Sequence, residues 1–259
     1  DHRDLHSFPT RRSSDLAVAG LALGVALGLL WPIVGMWIQN LGETIIGAGA
    51  LGAGIYGVVN RLLLPLGLHH VVNSFIWFVS GTYESAEGMV HGEIPRYLAG
   101  DPTAGGFLSG FFPVLMFGLP GAALAIWLTA HRSRRAQIGS IMIPAALTAF
   151  ATGITEPVEF AFIFVAPVLY VVHIVLTGVS MAVLNALDAH LGFGFSAGLI
   201  DLLLNATKDN TTGLGAILLL GVCYFFLYFG VFYVLITRFN MPTPGRESDP
   251  EDQEDTVRA

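Results

Sequence analysis

Charge is scarce in this chain. Only 12% of its 259 residues are Asp, Glu, Lys or Arg, against 54% hydrophobic residues and a mean hydropathy of +0.67. That is too little polar surface for a water-soluble domain, and apolar runs long enough to span a bilayer recur, so the composition implies a polytopic helical membrane protein. Cysteine is nearly absent as well. The single Cys223, inside LLLGVCYFFLYFGVF, excludes an intrachain disulfide and a CxxC metal site and reads as a small buried side chain. Lysine occurs once, at Lys208, and no GxxxxGK[ST] segment is present, which excludes a P-loop. The absence of HExxH or any other compact ligand spacing argues against a metal centre, and without a basic face there is nothing to meet nucleic acid. The formal net charge of -7 comes largely from the terminal GRESDPEDQEDTVRA, which reads as a solvated, disordered tail.

Along the chain, DHRDLHSFPTRRSSDL is polar and lacks the order of a signal peptide. SFPTRRSSDL reads as a translated sequencing-library adapter, so residues 1–16 are expected to be non-native, with residues 17–240 a membrane domain and 241–259 an acidic cytoplasmic tail. Ala17 to Ile38 reads as a spanning helix with Trp31 and Trp37 toward one headgroup level. The closely spaced glycines of Leu41 to Val59 predict a segment packed against protein. PLGLHHVVNSFIWFV is short and carries polar residues, as a re-entrant or broken element does. Thr82 to Gly106 is expected to be a loop at one membrane face, and Phe107 to Thr129 a span interrupted by GLPG. The basic cluster HRSRR and the later Arg238 both mark cytoplasmic ends, so an even number of crossings must separate them. Ile138 to Thr152, Val158 to about Leu187 and Gly213 to Ile236 supply apolar segments, with a hairpin expected around GITEP.

Glu156 and Glu159 stand inside GITEPVEF, in a stretch without Lys or Arg between Arg135 and Lys208. A carboxylate at membrane depth faces a cavity or a partner, and Gly153 and Pro157 break the helix there. Arg61, His69 and Glu156 make a chemically sensible set around a hydroxyl to be phosphorylated. The carboxylate accepts the proton, while cation and imidazole stabilise the transferring phosphoryl group. The vicinal pair His69 and His70 diverges on any regular element, so at most one is expected to face a ligand. His173 and His190 read as satisfied core residues, Asp188 and Asp201 equally as interfacial ones, and Glu159 as a neighbour that tunes Glu156 or caps a turn.

PLGLHHVVNSFIWF, GEIPRYLAGDPTAGGFLSGFFPVLMFGLPGAALAIW, TGITEPVEFAFIFVAPVLYVVH, FSAGLIDLLLN and RFNMPTPGRE together resemble the membrane domain (enzyme II C) of the bacterial phosphoenolpyruvate-dependent sugar phosphotransferase system, glucose superfamily. The resemblance runs from about Ala17 to Glu247, and AGDPTAGGFLSGFFPVLMFGLPGAALA with HHVVNSFIWF is closer to the N-acetylglucosamine branch than to the glucose or maltose branches. It implies an all-α, multi-pass permease of the bacterial inner membrane that phosphorylates its sugar at the 6-hydroxyl during passage and needs no cofactor. It further implies Arg61, His69 and Glu156 as catalytic residues, and His70, Asn73, Thr155 and Glu159 as sugar ligands. The expected partners are the sugar, a phosphorylated enzyme II B domain outside this chain, membrane lipid and a second copy. Compared with that family the chain is expected to be truncated at its N-terminus. A glucose- or maltose-type permease, a proton-coupled sugar transporter using Glu156 and Glu159, and a non-transporting sugar sensor are the alternatives.

Overall fold

The computed structural model of the chain describes residues 10–247, which fall into two units, one up to Glu43 and one from Thr44 onward. The expected adapter-derived segment lies outside the described residues at positions 1–9; positions 10–16 are helical. Helix α1 (Thr10–Gly47) contains the expected first span and extends it at both ends. From Asp15 to Gly47 it is apolar and long enough to cross a membrane, and it exposes Leu21, Leu29, Trp31 and Trp37. Apolar side chains with aromatic rings toward one end suit lipid and its headgroup boundary.

The glycine-rich segment is divided: its first residues close α1, and in the second unit the rest forms α2 (Gly49–Leu62), which starts after a break at Ala48 and packs along α8 (Pro167–Ala186). Glycine permits the closeness: a Cβ on Gly57 would stand 2.7 Å from Met181 Cγ, and one on Gly178 2.5 Å from Val58 Cγ2. Small residues that let helix backbones approach supply packing where lipid offers no hydrophobic drive. A 3-10 turn at Leu64–Leu66 and left-handed Gly67 then lead into α3 (His69–Phe78). Ten residues of helix rise about 15 Å, half of a ~30 Å hydrocarbon core.

The expected loop is more structured than its polarity suggests. Strands β1 (Thr82–Ser85) and β2 (Gly88–His91) form an antiparallel hairpin with Thr82 opposite His91, an element absent from the all-α expectation. Helix α4 (Glu93–Leu98) follows, and its buried Arg96 holds Asp101 at 2.7 Å and Thr103 at 2.7 Å, while Glu93 accepts the Gly105 N–H at 2.8 Å. Burial pushes the Glu93 carboxyl above its ordinary range. At Asp101 burial acts the same way but is outweighed by the Thr103 hydroxyl, the Thr103 N–H and Arg96, which leave the carboxyl below its ordinary range.

GLPG does not break the helix in which it falls, although that helix starts only after the turns at 106–110 and is shorter than a candidate span. Pro113–Gly118 is wound as a π-helix that passes directly into α5 (Leu119–Thr129). The two glycines serve packing instead, since a Cβ on Gly118 would stand 2.9 Å from the Tyr228 ring on α10 (Leu214–Arg238). Helix α6 (Arg135–Thr152) packs back on α5. Beyond it the single expected segment is two helices, α7 (Glu156–Ile163) and α8, separated at Phe164–Ala166 because Pro167 ends the preceding helix and opens the following one. Helix α9 (Leu199–Asn205) lies between α8 and α10 in sequence. Besides α1, α8 and α10 are long and apolar enough to cross a membrane.

One smaller expectation is corrected. Cys223 is exposed on α10 rather than buried, on the outward face it shares with Val222 and Phe226. The first residues of the expected tail, 241–247, pack against the rest of the second unit. Met241 and Thr243 are buried, the Gly245 carbonyl accepts the His131 N–H at 3.0 Å, and Arg134 pairs with Glu247 at 2.8 Å. Positions 248–259 lie outside the described residues.

Candidate functional site

Two helix starts face one cavity. The first is α3, which carries His69, His70, Asn73 and Trp77; the second is α7, preceded by Gly153, Ile154 and Thr155 and opened by Glu156. Asn60 and Arg61 of α2 and the rings of Phe111, Phe193 and Phe195 complete a space of about 370 Å³. This falls in the ~300–1,000 Å³ range of small-molecule sites, and its mixture of rings and convergent polar groups is what such sites contain.

The break before α7 follows from local sequence. Gly153 ends α6 with φ of 75°, a left-handed conformation costly for any residue with a Cβ, and Pro157 fits the first turn of the next helix. The broken backbone is held by the 194–196 loop, where the Ser196 hydroxyl donates to the Gly153 carbonyl at 3.0 Å. Asp201 in turn accepts the N–H groups of Gly194 at 2.6 Å and Ser196 at 3.2 Å. Asp201 is thus a loop cap behind the site. Asp188 is exposed, and His190 contacts Thr212 at 3.3 Å away from the cavity.

Six of the seven predicted residues line the cavity: Arg61, His69, His70, Asn73, Thr155 and Glu156. Glu156 is exposed to it, with Oε2 accepting the Thr155 N–H at 3.1 Å at the positive end of α7. Both histidines are present in the wall, their ring centroids 4.0 Å apart, against the expectation that one would turn away. They open a helix, where neighbours are separated by about 100° rather than the 180° of a strand. Asn73 Oδ1 accepts from Asn60 at 2.5 Å and from Tyr56 at 2.8 Å, so the side chain keeps its amide donors for the cavity. Arg61 Nε and His69 Nδ1 are buried with no hydrogen-bond partner among the described residues. Unmet buried groups of this kind call for a functional explanation.

Glu159 is the seventh, and it stands apart. It is fully buried behind Arg61, with Oε1 receiving Arg61 Nη1 at 2.6 Å and His173 Nε2 at 3.1 Å. His173 is a satisfied core residue as expected, its other nitrogen 2.9 Å from the Tyr228 hydroxyl. Sequence reasoning missed Asn60, Trp77 and Ser196. Asn60 adjoins Arg61 in an otherwise apolar run, a signal that was available; nothing in spacing announces the others.

The chain matches the family model described as "Phosphotransferase system, EIIC" over residues 15–178. It is similar to the N-acetylglucosamine-specific EIICBA component of the phosphotransferase system of Klebsiella pneumoniae, with 50% identity over 90% of the chain. It is also similar to the N-acetylglucosamine-specific EIIC component of Streptomyces coelicolor, with 48% identity over 94%. Identity to the glucose-specific EIICBA component of Staphylococcus carnosus is lower, 40% over 94%. The chain spans 36%, 58% and 37% of those three proteins respectively.

Proposed function

This chain belongs to the phosphotransferase system EIIC family, and from that premise we propose that it is a permease that binds N-acetylglucosamine, carries it across the cytoplasmic membrane and presents its 6-hydroxyl for phosphorylation. The observation that carries the reading is the cavity where Arg61, His69 and Glu156 meet at the starts of two short helices. Interrupted helices that expose polar backbone at membrane depth are where transporters hold their substrates. We read α3 and the α6–α7 turn as re-entrant elements that bring this chemistry to the site.

In the proposed step the sugar hydroxyl oxygen attacks a phosphoryl group carried on a cysteine of a B domain. A P–O bond forms, the P–S bond breaks, the cysteine leaves as thiolate and the hydroxyl proton passes to Glu156. Arg61 and His69 face the charge that spreads over the phosphoryl oxygens, and His70, Asn73 and Thr155 orient the sugar. The substrate assignment is supported by the relatives: the two near half identity are named for N-acetylglucosamine, whereas the glucose-specific one is more distant.

Uptake of labelled N-acetylglucosamine into membrane vesicles carrying the protein and its soluble phosphoryl-donor partners tests both parts. The expected result is uptake that requires phosphoenolpyruvate, with sugar phosphate as the first internal product and unlabelled glucose competing at least about tenfold more weakly, roughly 1.4 kcal/mol. Accumulation of free sugar without phosphoenolpyruvate would overturn the mechanism. Equal competition by glucose would overturn the substrate.

A further inference from the structure

Arg61 cannot hold its position by its own helix. It is a cation in an apolar bundle, and groups from two other segments place its guanidinium while a third holds its backbone. Glu159 of α7 takes Nη1 at 2.6 Å, the Phe111 ring lies 5.4 Å from the guanidinium carbon, and the Tyr170 hydroxyl of α8 donates to the Arg61 carbonyl. Glu159 is itself held. Its Oε1 also receives His173 Nε2, and the opposite ring nitrogen of His173 meets the Tyr228 hydroxyl at 2.9 Å. A neutral imidazole satisfies both contacts when Nε2–H donates to the carboxylate and Nδ1 accepts from Tyr228. Phe162 lies edge-on to His173, with ring centroids 5.9 Å apart, and Phe232 edge-on to Phe162 at 5.1 Å, so the chain of polar groups is enclosed by rings.

We propose that Glu159, His173 and Tyr228 are positioning residues that aim Arg61 at the sugar cavity, and that Glu159 is not a sugar ligand. Glu159, His173 and Tyr228 have no exposed surface, so a sugar in the cavity meets Arg61 and not the carboxylate behind it. With Nη1 committed to Glu159, Nε is buried at the wall without a partner among the described residues. A planar fork anchored at one edge presents its remaining donors in a fixed direction. Groups that lock such a donor act on the reacting geometry, where small misplacements lower the turnover rate. This inference rests on the proposed role of Arg61 in phosphoryl transfer.

The test is the rate of sugar phosphorylation in membrane vesicles supplied with the phosphoryl-donor proteins, measured for single and combined variants. His173→Leu removes both contacts, and kcat is expected to fall about tenfold or more while the sugar KM stays within about threefold. His173→Gln, which returns an N–H near the Nε2 position, should recover a large share of that loss. Tyr228→Phe keeps the packing and loses one hydroxyl, so a smaller fall in kcat at unchanged KM is expected even if His173→Leu fails to insert. In an Arg61→Ala background, His173→Leu should lower the rate no further, because the group it positions is gone.

A raised KM at unchanged kcat in the His173 or Tyr228 variants would overturn the positioning role in favour of sugar binding. Losses that multiply equally in both backgrounds, with no recovery by Gln, would overturn it in favour of a merely structural role. Near-wild-type phosphorylation by Arg61→Ala would instead sink the underlying reading of Arg61, and the positioning role with it.

Discussion

Arg61 and Arg132 carry the same charge into different surroundings. Arg61 is buried against Glu159 at the cavity wall, whereas Arg132 is exposed in the turn between α5 and α6. Arg61→Ala is therefore expected to lower sugar phosphorylation by about a hundredfold, the scale of losing one preorganised donor to a developing charge. It should also destabilise the protein by about 3–5 kcal/mol, since Glu159 is left buried without an opposite charge, with only the His173 N–H to meet it. Arg132→Ala should leave both within experimental scatter, and phosphorylation rates together with melting in detergent check this. Equal losses at the two sites would contradict the role given to Arg61. At this scale much was legible in sequence: an Arg, two His and a Glu stand out where charge is rare. The burial of Glu159 was not legible, because the three-residue offset from Glu156 says that the two share a side of a helix but not which one fronts the cavity.

Among the elements, the break before α7 depends on Gly153, whose left-handed backbone no side chain tolerates cheaply. A Cβ there would also stand 2.6 Å from Ser196 Oγ, the group that holds the Gly153 carbonyl. Gly153→Ala is expected to cost about 1–2 kcal/mol from backbone strain alone and to weaken sugar binding, as read by isothermal titration. Unchanged affinity and melting temperature would contradict the account of the break.

The loop clasp gives a pH test. Asp101 is held below its ordinary range, so its contribution to stability is present above the unfolded aspartate value and is lost as pH falls through the folded one. Glu93, raised by burial, runs the other way: the folded state takes up its proton first, and stability falls as pH rises from the unfolded glutamate value to the folded one. Asp101→Asn should accordingly flatten the acid side of a melting-temperature profile, and an unaltered acid limb would count against the clasp. The hairpin β1–β2 and the π-helix at Pro113–Gly118 escaped sequence reasoning for different reasons. The hairpin is short and largely exposed, without an alternating apolar face to announce it. The π-turn alters hydrogen-bond spacing inside a helix whose apolar pattern does not change.

Across the whole molecule, composition alone identified a membrane protein, because scarcity of charge is a property of the entire chain. The cavity was legible only as a set of residues. Arg61, His69 and Glu156 are separated by up to 95 positions (156 − 61), and nothing in their spacing brings α2, α3 and α7 to one space. That convergence gives the protein its proposed chemistry, with Glu156 as the group that accepts the proton of the sugar hydroxyl. The most direct measurement is phosphoenolpyruvate-dependent formation of sugar phosphate by Glu156→Gln, paired with sugar binding by the same membranes. Glutamine keeps the size of the side chain and its acceptor for the Thr155 N–H but cannot act as the base. The account predicts sugar binding retained within about tenfold, roughly 1.4 kcal/mol, and sugar-phosphate formation reduced by at least about a hundredfold; sugar phosphate formed at near the wild-type rate would contradict it.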